Sequence, residues 1–176
     1  MKALAGIAIF IFLTIGCLAQ SDSKPNTMKL SIPEMGADNV LPKEFTGDGA
    51  GISPPLRWKK GPEGTKSYAV IMHHIDRDGK TKWYWTLWDI PGDLTMLPKN
   101  STKIGTLGSN EMSRVPGYGP PNSKGPGTKF YTITLYALSD KPKLNVQPYR
   151  VNRDVLLEAM KGLILDTSEL KVSHSR

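Results

Sequence analysis

The 176-residue chain has one cysteine, Cys17, and three histidines, His73, His74 and His174. With its only thiol near the N-terminus, the rest of the chain can form no internal disulfide and offers no cysteine nucleophile or thiolate ligand. Stability must come from packing. The sequence contains no His-Glu-x-x-His and no Gly-x-Ser-x-Gly, so the common metalloprotease and serine-hydrolase arrangements are missing. Internal repeats and low-complexity tracts are absent as well. No dense basic tract of the kind that binds nucleic acid is present. The one extended apolar run, Ala3 to Leu13 with Thr14 and Ile15 after it, is short for a membrane span.

That run follows Lys2 and reads as the core of an export signal. Two exits are open. Cleavage after Ala19 leaves Gln20 first, giving a signal peptide over 1–19. Alternatively, Gly16-Cys17 serves as a lipoprotein site and Cys17 is lipidated, although Thr14 stands where that pattern prefers leucine. Either exit places the folded part outside the cytoplasm, periplasmic or secreted, with the membrane reached only through a lipid anchor. Residues 20–27 are polar with Pro25 and read as a flexible leader.

What remains is ordinary globular composition, 39% hydrophobic and 22% charged, enough for one domain with a real core. Seventeen glycines and fourteen prolines indicate many turns and a mainly β architecture. The net charge of +7 is read first as a solvated surface; the alternative is a field that favours anionic partners.

Ser67 to Pro91 is the stretch around which the chain is organised. An apolar strand over 68–72 leads into the polar corner His73-His74-Ile75-Asp76-Arg77-Asp78-Gly79, and the aromatic strand Trp83-Tyr84-Trp85-Thr86-Leu87-Trp88 follows. Period-two geometry puts Trp83, Trp85, Leu87 and Asp89 on one face and Tyr84, Thr86, Trp88 and Ile90 on the other. Phe130 to Leu138 is a further strand, Met28 to Ile32 a first one, and Leu163 to Val172 a last extended segment. Asn152 caps a helix reaching about Lys161, with Val151 and Leu156 as a hydrophobic staple. Gly117-Tyr118-Gly119-Pro120-Pro121 and Lys124-Gly125-Pro126-Gly127 are tight turns. Residues from Ser173 onward read as tail.

The ordered series Ser53-Pro54-Pro55-Leu56-Arg57-Trp58, Gly64-Thr65-Lys66-Ser67-Tyr68-Ala69, Asp89-Ile90-Pro91, Gly117-Tyr118-Gly119-Pro120-Pro121 and Tyr131-Thr132-Ile133-Thr134-Leu135-Tyr136-Ala137-Leu138 resembles the phosphatidylethanolamine-binding protein family, in its bacterial Raf-kinase-inhibitor-like branch. The resemblance covers about residues 28–172. It implies an antiparallel β-sandwich with one or two peripheral helices and a small anion pocket at one end of the main sheet. Where the family carries Asp-Pro-Asp-Ala-Pro, this chain has His74-Ile75-Asp76-Arg77-Asp78; the family's two pocket histidines fall on Tyr84 and Lys129. Asp76, Tyr131 and the Gly119-Pro120 wall are kept.

The implied ligand-binding set is therefore His74, Asp76, Tyr84, Gly119, Pro120, Lys129 and Tyr131, facing a phosphate, a phospholipid head group or a carboxylate. Lys129 in place of a histidine keeps positive charge there, and His74 in place of an aspartate removes negative charge. The competing reading makes Tyr84, Trp85 and Trp88 core aromatics and turns Lys129 to solvent. A metal site at His73-His74-x-Asp76 is disfavoured, because neighbouring strand residues point to opposite faces. The chain is thus expected to be a binding module without catalytic residues, metal or cofactor. Relatives that inhibit kinases and proteases suggest a protein partner as the alternative, and a hydrolase is a third, less favoured reading.

Overall fold

Tyr68, Val70 and Met72 alternate along one strand with Ala69 and Ile71, and all five are buried, so this strand lies between two cores. A computed structural model describes residues 28–33, 35–113, 115–123 and 125–176. The proposed signal, Cys17 and the leader lie outside the described residues. The strands are β1 (Leu56–Arg57), β2 (Ser67–Ile75), β3 (Thr81–Pro91), β4 (Met96–Leu97), β5 (Thr106–Leu107), β6 (Thr128–Leu138) and β7 (Ile164–Ser175), with one α-helix, α1 (Arg153–Ala159). Among the described residues, two short 3₁₀ turns, Lys43–Phe45 and Pro148–Arg150, complete the regular structure. The fold is mainly β, with two antiparallel sheets. Among the described residues no helix is long and apolar enough to cross a membrane.

Five strands form the main sheet in the order β5-β3-β2-β6-β7, and β1 pairs with β4 in a separate two-stranded sheet. One face of the main sheet packs Tyr68, Val70, Met72, Leu87 and Leu135 against Leu56 of β1, Leu97 of β4 and the N-terminal segment. The other packs Ala69, Ile71, Trp88 and Leu138 against Val151, Leu156 and Met160 of the helical region. The helix starts where expected: the Asn152 side chain accepts from the Val155 amide at 2.9 Å, and Val151 and Leu156 are both buried. Seven residues of helix cover only part of that face.

The strict alternation expected along β3 fails twice, each time at a bulge. Tyr68 pairs with Ile90 but Val70 with Leu87, and Asp89 takes a left-handed backbone (φ 57°), which aspartate tolerates better than most residues. Ile90 consequently rejoins Leu87 in the larger core, and Trp88 faces the helix. Met72 pairs with Trp85 but His73 with Trp83, so Tyr84 is the extra residue. Tyr84 and Trp85 both belong to the larger core, and Trp83 pairs with His73 instead.

Two further expectations are corrected. Met28 to Ile32 forms no strand; its contact is an isolated bridge between Ser31 and Arg57, while Met28, Leu30 and Ile32 are buried. Residues 173–176 are not a tail. β7 continues to Ser175, pairing Ser173, His174 and Ser175 with Phe130, Lys129 and Thr128. The buried His174 has Nε2 3.2 Å from Asp48 Oδ2, without the alignment of a hydrogen bond. Arg176 also reaches Asp48 and donates to the Ser123 carbonyl at 2.7 Å. Val40 lies beside Ser173 in a parallel bridge. The final residues therefore fasten β7 to the loops around it.

Replacing Asn152 by alanine removes the one side-chain cap of α1 and is expected to lower stability by about 1 kcal/mol. Urea denaturation with an unchanged midpoint would contradict that role.

Candidate functional site

The main sheet forks at one end. The β2–β6 ladder stops at His73 and Thr132. The β2–β3 ladder runs on to Ile75 and Thr81, and the β6–β7 ladder to Thr128 and Ser175. The two strand pairs part there, leaving an open concavity of about 1240 Å³ between residues 73–78 on one side and Ser123 and residues 125–130 on the other, with Thr132 and Lys171 also lining it.

The local sequence makes the first prong. Asp76-Arg77-Asp78-Gly79-Lys80 is a tight hairpin turn: the Gly79 amide donates to the Asp76 carbonyl at 2.9 Å, the Asp76 amide to the Lys80 carbonyl at 2.8 Å, and Gly79 has φ 80°. A glycine in that conformation after a type I turn fixes register. The register places His74 opposite Lys82.

Side chains then bridge the fork. His74 Nδ1 lies 2.7 Å from the Phe130 carbonyl oxygen, taking over where the backbone ladder ends. His74 Nε2 lies 3.1 Å from Asp76 Oδ1. Both partners are acceptors, so both contacts are hydrogen bonds only in the imidazolium form. Lys82 Nζ reaches Asp76 Oδ2 at 2.5 Å, and Lys129 Nζ approaches Asp76 Oδ1 from the other prong at 3.9 Å. The hydrogen bond from Lys82 is the main cause that holds the Asp76 carboxyl below the usual aspartate range, assisted by the charge of Lys129 and the bond to His74. Lys82 is correspondingly raised by Asp76.

Tyr131 and Tyr84 back this cluster. Tyr131 packs against the His74 ring, centroids 5.2 Å apart, and edge-to-face on Tyr84 at 5.0 Å. Both tyrosines are buried, and burial pushes both hydroxyls up, so they stay neutral donors and acceptors at physiological pH.

The seven expected residues divide accordingly. His74, Asp76 and Lys129 line the concavity; Tyr84 and Tyr131 form its buried backing. Gly119 and Pro120 do not line it. The Gly119 amide is spent on the Tyr84 carbonyl at 2.6 Å, and a Cβ at Gly119 would lie 2.8 Å from Asn110 Oδ1. Pro120 lies against Gly51. This turn braces β3 from outside, so its amide at 119 is not available to a ligand. Lys129 turns to the cluster, not away into solvent. His73 and His74 do face opposite ways: His73 lies on the helix side, where burial and then the charge of Arg153 lower its basicity.

Lys82 was absent from the expected set. Its signal was the turn itself, since the Asp-x-Asp-Gly hairpin pairing 75 with 81 necessarily pairs 74 with 82. Among the described residues, no group of three histidine, cysteine or acidic side chains is placed to hold a metal ion.

Comparison with known proteins agrees with this architecture. The family model described as phosphatidylethanolamine-binding protein matches residues 31–175. A UPF0098 protein of Pyrococcus horikoshii is 29% identical over 186 residues, spanning all of this chain and 91% of the relative. One from Aquifex aeolicus is 35% identical over 130 residues, covering 71% of this chain and 75% of that protein. The crystal structure of the phosphatidylethanolamine-binding protein homologue CT736 from Chlamydia trachomatis superposes with a TM-score of 0.76 at 26% identity, covering 86% of this chain and 99% of that one. Escherichia coli YbcL, described as a member of the mammalian family of these proteins, shares the fold with a TM-score of 0.73 at 24% identity, covering 85% of this chain and 99% of that one.

Because the Asp76 carboxyl is depressed by its bond to Lys82, its contribution to stability is present above the ordinary aspartate value of 3.8 and is lost as pH falls through its lower folded value. Lys82→Met is expected to move that titration upward, towards 3.8, when followed by carboxyl NMR. An unmoved titration would remove Lys82 from the cluster.

Proposed function

We propose that this chain, which belongs to the phosphatidylethanolamine-binding protein family, is an exported, non-catalytic binding module whose fork takes a small anion of the phosphate, phospholipid head-group or carboxylate class. Its family and fold support a binding module in general; the anion reading rests on the fork. The observation that carries it is the convergence of Lys82, Lys129 and His74, from three strands, on one point at the rim of an open concavity. Two lysines facing one carboxylate leave a surplus of positive charge. Lys82 is tightly engaged at 2.5 Å, whereas Lys129 is held loosely at 3.9 Å and half-exposed, so Lys129 can turn its ammonium to an incoming anion while Asp76 stays fixed. Arg77 and Lys171 add charge along the wall. The buried tyrosines keep water from the back of the site, which strengthens every charge interaction in front of them. No cofactor is called for. The two sheets are read as unequal layers of one sandwich, with the larger layer carrying the fork.

A second reading, a protein-interaction or inhibitor module, draws on Ile75 and Phe130, which are 60% and 65% exposed on the rim of the same concavity. Apolar side chains in that position suit a partner protein more than a free anion.

Thermal-shift measurements separate these. Millimolar phosphate and phosphoethanolamine are expected to raise the Tm of the wild-type protein, because a ligand that binds only the folded state stabilises it. Lys129→Ala should lose most of that shift, and Tyr84→Phe, which removes only a backing hydroxyl, should reduce it less. A shift that Lys129→Ala leaves intact would end the anion reading. A Phe130→Ser variant that keeps the anion shift but loses an isolated partner would favour the second.

A further inference from the structure

Opposite the fork, the sheet ends at Ser67, Pro91, Leu138 and Ile164, and this end carries lysines of a different kind. Lys60, Lys66 and Lys141 border a shallow concavity of about 450 Å³ in which Asp93 is the sole carboxylate. At the fork Lys80 and Lys82 are paired closely with aspartates, and Lys129 loosely with Asp76. Among the described residues, none of the ion pairs involves Lys60, Lys66 or Lys141. Glu63 stands nearby in sequence, the Asp140 carboxylate accepts from the Lys141 backbone amide at 2.9 Å, and the charge of Lys141 acts on Asp89; these acids temper the field.

The three lysines are carried on anchored backbone. The Gly61 amide, next to Lys60, donates to the Tyr68 hydroxyl at 2.8 Å. The Gly92 amide donates to the Lys66 carbonyl at 3.1 Å, and a Cβ at Gly92 would come within 2.6 Å of Lys66 C, so those two loops are pressed together. Ser67 Oγ donates to the Asp140 carbonyl at 2.9 Å, fixing the turn that presents Lys141. The same end also receives the start of the described chain: the Met28 carbonyl accepts from the Lys59 amide at 2.5 Å, and the Leu30 amide donates to Ser168 Oγ at 2.9 Å. The residues before Met28, among them Cys17, the candidate lipidation site, therefore join the described fold beside Lys59.

We propose that this end is a docking face for an anionic bilayer surface. Ammonium groups on flexible stems, without an ion pair among the described residues and clustered near Met28, where the N-terminal segment joins the described fold, are suited to anionic head groups. Each lysine near such a surface contributes roughly fivefold to partitioning, and the contribution falls off within a Debye length. The contact is electrostatic and reversible, in addition to whatever attachment the N-terminal segment provides.

The test is co-flotation of the full chain with vesicles of phosphatidylcholine alone and with about one-third phosphatidylglycerol, a fraction chosen to give a strongly anionic surface. The wild-type chain should prefer the anionic vesicles, and salt should weaken the preference. The triple variant K60E/K66E/K141E should lose that preference by on the order of a hundredfold, while R77E/K80E/K171E, which reverses three charges at the fork, should keep it. Equal loss in both variants, no loss in the first, or no wild-type preference for anionic lipid would each overturn the proposal. Polyglutamate bound through Lys60, Lys66 and Lys141 without vesicle binding would assign the face to an acidic protein and overturn it too.

Discussion

Where the β2–β6 ladder ends, two backbones separate that elsewhere satisfy one another. Backbone polar groups at such a parting must find other partners or water. Here the His74 imidazole occupies the gap and meets the Phe130 carbonyl at 2.7 Å, while Lys129 reaches across to Asp76. The fork is thus held open at a fixed width by side chains. That width defines the concavity, and the same residues that fix it supply its charge. The arrangement depends on the Asp76–Lys80 turn, because moving the β2–β3 pairing by one residue would send Lys82 to the opposite face.

The site has a wet front and a dry back. Asp76 and the two lysines are partly exposed, whereas Tyr84 and Tyr131 are buried against the core. The bulge that makes Tyr84 an extra residue puts it on the same side as Trp85, and so brings it beneath the cluster. Regular alternation would have separated it from Trp85 and left the back of the fork open. The Gly119 turn contributes from outside, by pinning the Tyr84 carbonyl.

Much of this was legible from the residues. Ser67 to Ile75 and Thr128 to Leu138 announced themselves through long apolar or alternating runs, and Asn152 through its capping chemistry. The order of proline- and glycine-containing motifs pointed to the family. What the pattern did not carry was the pair of bulges, since an αL aspartate at 89 or an extra residue at 84 leaves no trace in hydropathy. The C-terminal residues Ser-His-Ser-Arg read as tail because an edge strand is free to be polar on its outer side; what holds them is backbone pairing to β6 and contact with Asp48. Lys82 was visible only through hairpin register, which requires the turn to be placed first.

If the proposed fork receives an anion through the groups that bridge it, titration with inorganic phosphate followed by backbone amide NMR gives saturable shifts concentrated at His74, Asp76, Lys82, Lys129 and Phe130, with the Lys60, Lys66 and Lys141 end little affected. Shifts spread evenly over the surface, or centred away from the parting of β2 and β6, would contradict it.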